Sequence, residues 1–284
     1  MLPAVRRMEV LVIVLHIVYL LIAAAAAAAI SIHTVTRWQQ FWLPVAVFAA
    51  AVLALWVLHV LIISVISLFI DTDKKPATVR SFFRWVAIVT LDVFMAAAGA
   101  RYHVEGREKL PDRPFLLVCN HLSITDPLAL MVVFRDRDLA FISKKENRTI
   151  PVISRFMVPA GCLFLDRTDS RSAVYTIRQA AEYIRNGICS MGICPEGTRN
   201  RNDAPVLPFH AGSFKIAARA ECPLVIAGIS GTEKIHRHFP FRLTRVDIRI
   251  LDVLSEETVA ASRSTDLART AEDEIAAWLT EIRK

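Results

Sequence analysis

Two long uncharged stretches at the start of the chain constrain its fold more than any other feature. No Asp, Glu, Lys or Arg stands between Glu9 and Arg37, and none stands between Arg37 and Asp71. A helix of about 20 apolar residues is long enough to cross a bilayer. Each stretch is therefore predicted to be a membrane-spanning helix, the first over residues 10–32 and the second over residues 41–70.

The predicted hairpin occupies residues 1–75. Basic residues are distributed unevenly around its two spans. Arg6 and Arg7 precede the first span, and the turn between the spans holds only Arg37. Four basic residues follow the second span: Lys74, Lys75, Arg80 and Arg84. The positive-inside rule then places both ends of the hairpin in the cytoplasm. The first stretch also fits a secretory signal peptide, because the two arginines precede it and an alanine run over residues 23–29 ends it.

The composition agrees with a membrane protein whose soluble part is basic. Hydrophobic residues make up 54% of the chain and the mean hydropathy is +0.42, which is too apolar for an ordinary soluble protein. The formal net charge of +7 suits contact with anionic lipids and phosphorylated ligands. Nucleic acid is not an expected partner, because no nucleic-acid motif and no basic stripe with interleaved aromatic residues is present.

The cysteines indicate a reduced, cytosolic compartment. Their number is odd, and no CxxC pair or metal-ligand spacing occurs among them. A disulfide framework and a zinc site are therefore not expected, and the thiols are predicted to be mostly buried small residues. The five are Cys119, Cys162, Cys189, Cys194 and Cys222.

A third apolar segment, residues 82–100, is interrupted by Arg84 and Asp92. It is too short and too charged to be a comfortable span. We predict an amphipathic helix that lies on the membrane surface within residues 76–101. The alternative is an ordinary helix that packs against the domain that follows.

From residue 102 onward, short apolar or β-branched runs alternate with helical stretches. Strands are predicted over residues 115–119, 139–143, 162–166, 188–194, 224–229 and 246–253. Helices are predicted over residues 127–134, 171–186 and 211–220, and a terminal helix begins near Ser264. This alternation predicts an α/β domain over residues 102–284, with a mostly parallel sheet flanked by helices.

The segment NHLSITDP at the end of the first predicted strand carries a candidate catalytic pair. His121 precedes Asp126 by five positions. Histidine is suited to take a proton near neutral pH, and a carboxylate on its other ring nitrogen fixes the tautomer and stabilises the imidazolium. Asp126 stands before Pro127, so it is also a candidate cap for the helix that begins there. The pair alone is a weak signal.

A second segment, PEGTR, follows another predicted strand and strengthens the interpretation of the first segment as a functional motif. It contains Pro195, Glu196, Gly197, Thr198 and Arg199. An Arg that follows a Gly at a strand end offers a guanidinium fork and exposed backbone N–H groups to a phosphate. The alternative for this Arg is a surface ion pair, for example with Glu196.

These segments resemble four blocks of the glycerolipid acyltransferase family, in the branch that acylates 1-acyl-glycerol 3-phosphate. The resemblance covers about residues 104–229. The blocks are NHLSITD, GCLFLDR ending in Arg167, PEGTR, and CPLVIAGI around Pro223. Two positions depart from the family pattern: Cys194 stands where an aromatic residue is common, and His210 stands where a basic residue is common.

The resemblance implies roles for particular residues. It assigns acyl transfer to His121 and Asp126, and an acyl pocket to the block around Pro223. Contacts with the phosphate and the acceptor are implied for Arg167, Glu196, Gly197, Thr198 and Arg199, with Lys144 of FISKKEN as a further basic position. For Arg167 the alternative is a solvated charge cluster with Asp166, Asp169 and Arg171.

The resemblance also implies the reaction: transfer of a fatty acyl chain from acyl-CoA or acyl carrier protein to the sn-2 hydroxyl of lysophosphatidate, giving phosphatidate. Membrane lipids are expected partners, and the inner cell membrane is the expected location. An acyl thioester is already activated, so a base is sufficient and neither a cofactor nor a metal is expected. The alternatives are an enzyme of the same superfamily acting on another lysolipid, and a catalytically silent lipid-binding membrane protein.

Overall fold

The computed structural model of the protein describes residues 4–34, 42–72 and 81–283. The chain divides into two compact units, Met1–Asp71 and Thr72–Lys284. The predicted turn between the two spans lies mostly outside the described residues. So do four of the basic residues that set the predicted orientation: Arg37, Lys74, Lys75 and Arg80.

The first unit contains two helices in contact with each other, α1 (Ala4–Thr34) and α2 (Trp42–Leu68). Tyr19 and His59 join them through a hydrogen bond of 3.1 Å. Within the described ranges, α2 is long and apolar enough to cross a membrane, and α1 contains a shorter apolar stretch, Ile17–Ser31. The predicted pair of apolar helices is thus confirmed, and the crossing of a membrane by each of them stays a prediction.

The helix predicted to lie on the membrane, α3 (Phe82–Ala97), belongs to the second unit and packs on it. The Arg84 side chain is buried and donates hydrogen bonds to the carbonyl oxygens of Ala160 and Leu139, at 2.8 and 3.1 Å. Asp92 forms an ion pair of 2.7 Å with Arg135. The two charges that interrupt the apolar segment therefore fasten this helix to its own domain.

Three aromatic residues of α3 are exposed. Phe82 is 60% exposed, Trp85 38% and Phe94 49%. The buried face of α3 therefore fits the alternative, an ordinary helix that packs against its own domain. Contact between these aromatic residues and a membrane surface stays a prediction.

The second unit is built on one seven-stranded sheet with the order β1-β7-β6-β2-β5-β3-β4. The strands are β1 (Ala100–Glu105), β2 (Leu116–Cys119), β3 (Leu139–Lys144), β4 (Leu163–Leu165), β5 (Ser190–Ile193), β6 (Leu224–Ser230) and β7 (Thr244–Leu254). Strands β2 to β6 are parallel to one another, whereas β7 is antiparallel to β6 and parallel to β1. The predicted mostly parallel sheet is confirmed.

Helices flank this sheet. They are α4 (Asp126–Val133), α5 (Ile153–Met157), α6 (Ser170–Arg185), α7 (Lys215–Ala220), α8 (Ile235–His238), α9 (Glu256–Ala261) and α10 (Ser264–Ile282). The six predicted strands are present with ends within two residues of the prediction, and α4, α6 and α10 begin within one residue of theirs. The predicted helix over residues 211–220 is a 3-10 turn, Ala211–Phe214, followed by α7.

The sequence analysis missed β1 and the short helices α5, α8 and α9. Strand β1 lies at the edge of the sheet and exposes Arg101 and His103, so it lacks the apolar run that identifies the inner strands. The antiparallel direction of β7 was also not predicted, because the direction of a strand depends on its neighbours in space.

Helix α10 packs closely against the sheet and reaches towards the loop after β5. A Cβ atom at Gly228 of β6 would lie 2.1 Å from the Trp278 ring, so no larger residue fits beneath this helix. From the same helix, Glu272 accepts a hydrogen bond of 2.8 Å from the backbone N–H of Phe209. The terminal helix thereby fixes the loop that carries PEGTR.

Candidate active site

The predicted site residues follow the carboxyl ends of parallel strands, with one exception. His121 follows β2, Glu196 follows β5, Arg167 follows β4 and Lys144 ends β3. Because these strands run in the same direction, their carboxyl ends meet at one edge of the sheet. That edge is where parallel sheets usually bind ligands.

The exception is Pro223, which immediately precedes β6. Its carbonyl oxygen accepts a hydrogen bond of 3.1 Å from the N–H of Leu116, the first residue of β2. Pro223 therefore lies at the opposite edge from His121, separated from it by at least the length of β2, roughly 10 Å. The structure does not bring the proposed acyl-pocket residue together with the others.

His121 and Asp126 form the central contact of the site. The imidazole Nδ1 lies 2.9 Å from Oδ2 of Asp126, whose side chain is fully buried. A carboxylate only accepts hydrogen bonds, so Nδ1 carries the hydrogen and the Nε2 of a neutral ring is left as the acceptor. The His121 side chain is 19% exposed, which leaves the ring open to a reactant.

The Asp126 carboxylate is held by the turn that precedes it. The N–H groups of Leu122 and Ser123 both donate to Oδ2 at 2.7 Å. Asp126 is the first residue of α4, and its side chain points back towards His121 instead of forward over the helix. The prediction that it caps α4 was therefore wrong, because Oδ2 accepts from the preceding turn and no side-chain hydrogen bond caps the helix.

Two residues that the sequence analysis did not assign complete this arrangement. Thr232, 1% exposed and two positions after the end of β6, donates its hydroxyl hydrogen to Oδ1 of Asp126. Asn120 donates to the carbonyl oxygen of Ile229 and accepts from its N–H, both at 2.9 Å, and so joins the end of β2 to β6. The NHLSITD block contains Asn120, whereas no local pattern marks Thr232.

Glu196 braces the catalytic turn from the other side. It is 3% exposed, and it accepts hydrogen bonds from the N–H of His121 at 2.6 Å and of Leu207 at 3.0 Å. Burial raises the pKa of this carboxyl to about 7, against the opposing effect of those two hydrogen bonds. Both oxygens are thus used inside the protein, which favours a positioning role over the predicted contact with the acceptor.

Gly197 lets the PEGTR loop turn close to two basic side chains. Its φ of +71° is in the left-handed region that favours glycine. A Cβ atom there would lie 3.2 Å from Cδ2 of His210 and 3.9 Å from Nη1 of Arg167. The structure therefore brings the arginine of GCLFLDR against the PEGTR loop, which neither segment indicates by itself.

The remaining predicted binding residues are exposed: Thr198, Arg199, Arg167 and Lys144. Asp166 pairs with Lys145 at 2.9 Å, and Asp169 caps α6 by accepting from the N–H of Arg171. The alternative charge cluster around Arg167 therefore does not form. Within the described ranges, Arg167, Arg199 and Lys144 make no ion pair with the protein, so their charges are available to a ligand.

The thiol of Cys194 adds a charged neighbour to His121. The two side chains interact electrostatically, and Cys194 also contacts Cys119, with 3.6 Å between the sulfur atoms. Burial by itself would lower the pKa of His121, but the neighbouring Cys194 and the Asp126 carboxylate raise it above its usual value. The site therefore stabilises the imidazolium that forms when the ring accepts a proton.

Comparison with known proteins agrees with this geometry. The family model named Acyltransferase matches residues 101–230, which contain the four sequence blocks. The chain is 27% identical over 187 residues to the 1-acyl-sn-glycerol-3-phosphate acyltransferase of Saccharomyces cerevisiae, covering 65% of this chain and 61% of that protein. It is 30% identical over 163 residues to 1-acyl-sn-glycerol-3-phosphate acyltransferase alpha of Mus musculus, covering 56% of each. The chain thus spans less than two thirds of the length of these relatives.

The fold also resembles a solved structure. The crystal structure of the 1-acyl-sn-glycerophosphate (LPA) acyltransferase PlsC from Thermotoga maritima matches with a TM-score of 0.56 and 28% sequence identity. The match covers 70% of this chain and 81% of that one. The similarity therefore extends beyond the short motifs to most of the architecture that positions them.

Proposed function

We propose that the protein is an acyltransferase that transfers a fatty acyl chain from a thioester to the sn-2 hydroxyl of 1-acyl-glycerol 3-phosphate, since the family model named Acyltransferase matches residues 101–230. The product is phosphatidate, an intermediate of phospholipid biosynthesis. The observation that carries the proposal is the His121–Asp126 contact of 2.9 Å, at the sheet edge where Lys144 ends β3 and Arg167 and Arg199 follow β4 and β5.

His121 acts as the general base in this proposal. Its Nε2 takes the proton of the acceptor hydroxyl while that oxygen attacks the thioester carbonyl, and Asp126 stabilises the imidazolium that results. The proton then passes to the thiolate of the donor as it leaves. An acyl thioester needs no covalent activation, so the chain requires positioning and one base, without a cofactor.

The exposed arginines supply the selectivity for the acceptor. A phosphate monoester carries up to two negative charges and accepts the paired N–H groups of a guanidinium. Arg199 and Arg167 offer such groups without a competing ion pair among the described residues, and Lys144 adds a third cation. The donor, acyl-CoA or acyl carrier protein, must reach the same edge from the cytoplasm.

The proposed location is the inner cell membrane, with both helices of the first unit crossing it and the catalytic domain in the cytoplasm. The support is the apolar length of α2, the apolar stretch of α1 and the basic residues on either side of the pair. Reporter fusions at the C-terminus and near Thr36 test this: the C-terminal reporter should be cytoplasmic and the other extracytoplasmic. A C-terminus outside the cytoplasm contradicts the proposed topology.

The catalytic proposal is tested with the full-length protein in detergent, using acyl-CoA and acyl carrier protein donors with a panel of lysolipid acceptors. Lysophosphatidate should be the best acceptor, and His121→Ala should lower kcat/KM by about 10²-fold to 10⁴-fold. His103→Ala, at an exposed histidine on β1, is the matched control and should keep full activity. More than about a tenth of the activity remaining in His121→Ala contradicts a general base at this position.

Arg199→Lys tests the acceptor contact, because it keeps the charge but loses the guanidinium fork. KM for lysophosphatidate should rise about tenfold to a hundredfold, while KM for the donor and for a phosphodiester lysolipid should change little. Arg201→Lys, at an exposed arginine two positions further along, is the control. An equal rise of KM for both acceptors would identify Arg199 as a structural residue. Unchanged kinetics would mean that Arg167 or Lys144 holds the phosphate instead.

A further inference from the structure

Two thiols face each other beside the catalytic turn. Strands β2 and β5 are paired in parallel up to Val118 and Ile193, and each strand continues into a cysteine, Cys119 and Cys194. Their sulfur atoms are 3.6 Å apart. Neighbouring strands are about 4.8 Å apart, which is within the Cα separation that a disulfide tolerates.

The two cysteines differ in access and in reactivity. Cys119 is fully buried, whereas Cys194 is half-buried. The hydrogen bond with Cys119 and the charge of the neighbouring His121 outweigh the effect of burial and lower the pKa of Cys194 to about 6. Thiolates are the nucleophilic form of cysteine, so the lowered pKa should make Cys194 more reactive at neutral pH than an ordinary cysteine.

Cys162, Cys189 and Cys222 differ from Cys194 in the pKa of their thiols and in their burial. Burial raises the pKa of Cys162, and it raises the pKa of Cys189 and of Cys222 to about 12. All three are buried. The chain therefore provides internal controls for the reactivity of Cys194.

We propose that Cys194 is a modification site at which hydroperoxides oxidise the protein, with a Cys119–Cys194 disulfide as the product. The inference rests on the paired strand ends, the facing sulfur atoms and the histidine that contacts one of them. It is independent of the acyl-transfer proposal, since the chemistry involves only these side chains and the oxidant.

The reaction proceeds in two steps. The Cys194 thiolate attacks one oxygen of the hydroperoxide; an S–O bond forms, the O–O bond breaks, and the leaving alkoxide or hydroxide takes a proton to become an alcohol or water. The Cys119 sulfur then attacks the sulfenic sulfur; the S–S bond forms, the S–O bond breaks, and the hydroxyl leaves as water with the Cys119 proton. Two thiols lose two electrons in total, and the hydroperoxide gains them.

The disulfide should impair the site because both cysteines lie close in sequence to residues that form or position it. Cys119 is two residues before His121, and Cys194 is two residues before Glu196, which accepts the N–H of His121. Bond formation draws the sulfur atoms together by about 1.5 Å. Displacements of about 1 Å are enough to lower catalytic rates substantially.

The first test measures thiol reactivity in the folded, full-length protein in detergent. Limiting iodoacetamide at pH 7, followed by peptide mass spectrometry, should label Cys194 at least about tenfold faster than Cys162, Cys189 or Cys222. The rate at Cys194 should rise with an inflection near pH 6, not near pH 9. Labelling spread evenly over these four cysteines overturns the proposal.

The second test identifies the product. After treatment with hydrogen peroxide and denaturation, the free thiols should fall from five to three, with one disulfide-linked peptide pair joining Cys119 to Cys194. Dithiothreitol should restore all five. A disulfide that joins another pair, or a thiol count that stays at five under conditions that oxidise free cysteine, overturns the proposal.

Variants connect the modification to activity, each compared with its own untreated sample. Peroxide should lower wild-type activity about tenfold or more, reversibly with dithiothreitol. Cys194→Ser should resist peroxide, and Cys119→Ala should lose reversibility, because the sulfenic acid of Cys194 then has no partner and oxidises further. Cys222→Ala, at the opposite sheet edge, should respond like wild type. If peroxide inactivates Cys194→Ser as strongly as wild type, oxidation of Cys194 is not the cause of the lost activity. The thiol counts do not require transferase activity, so they test the disulfide even if the acyl-transfer proposal fails.

Discussion

Thr232 donates its hydroxyl hydrogen to Oδ1 of Asp126 across 106 positions of sequence. The other oxygen of the same carboxylate accepts the Nδ1 hydrogen of His121 and two backbone N–H groups. The orientation of His121 thus depends on a loop after β6 as well as on its own turn. The His–Asp pair works as part of a network that joins two strands.

Thr232→Val should weaken this network without changing the volume of the side chain. A fully buried carboxylate oxygen loses its donor, which should lower the free energy of unfolding by about 1 to 3 kcal/mol and reduce kcat. Thermal unfolding and steady-state kinetics on the same preparation measure both effects. Thr280→Val, on the exposed side of α10, is the matched control. Wild-type stability and kcat in Thr232→Val contradict the role assigned to this hydroxyl.

Asp126→Asn should separate the charge of the carboxylate from its hydrogen bonds. The amide oxygen still accepts from Leu122, Ser123 and His121, and the amide nitrogen can donate to the Thr232 hydroxyl, so the turn should survive. The negative charge that stabilises the imidazolium is lost, and kcat/KM should fall about 10²-fold to 10⁴-fold with little change in Tm. Asp126→Ala should lower both activity and Tm. A large loss of Tm in Asp126→Asn would show that the charge itself holds the turn.

Glu196→Gln should destabilise the protein, because an amide offers one acceptor where the carboxyl offers two. Either His121 or Leu207 then has its N–H opposite an amide nitrogen. We expect a loss of about 1 to 3 kcal/mol in the free energy of unfolding, measured by chemical denaturation. The exposed Glu221→Gln is the control, and equal stabilities of the two variants exclude the bracing role.

The advantage of Glu196 over Gln at this position should depend on pH. The pKa of Glu196 in the folded protein is about 7, above the usual value of 4.5 for this side chain. Its folded form therefore holds a proton that the unfolded chain releases, so the stability contribution is complete below pH 4.5 and is lost as pH rises through 7. The difference in unfolding free energy between wild type and Glu196→Gln should shrink over this range. A difference that grows with pH means that the ionised form is the stabilised one.

Cys194→Ser should move the pH dependence of catalysis. Only neutral His121 is a base, and the Cys194 thiolate raises the pKa of His121. Without the thiolate, the pKa of His121 should fall. The acidic side of the profile of kcat/KM against pH should then shift to lower pH, since kcat/KM reports the pKa values of the free enzyme. The control is Cys222→Ala at the opposite edge of the sheet. An unchanged acid limb in Cys194→Ser shows that the thiol does not influence the base.

The sequence alone predicted the elements whose pattern is local. Apolar runs located six of the seven strands, uncharged stretches located α1 and α2, and the resemblance carried His121 and Asp126 to the end of β2. These features follow from residues adjacent in the chain, since the burial of an inner strand requires an apolar run along its length. The mostly parallel sheet followed from the same evidence.

The tertiary structure decided the features that depend on the order of the strands. It placed Thr232 on Asp126, turned Glu196 inward to the N–H of His121, and set Arg167 beside Gly197, while it left Pro223 at the far edge. It also buried Arg84 of α3, a residue that the sequence analysis read as a flanking charge of the spans. Each of these contacts joins segments distant in sequence, and their proximity is set by which strands pair and in which direction. A local pattern records the burial of a residue but not the identity of its neighbours, so these contacts required the fold.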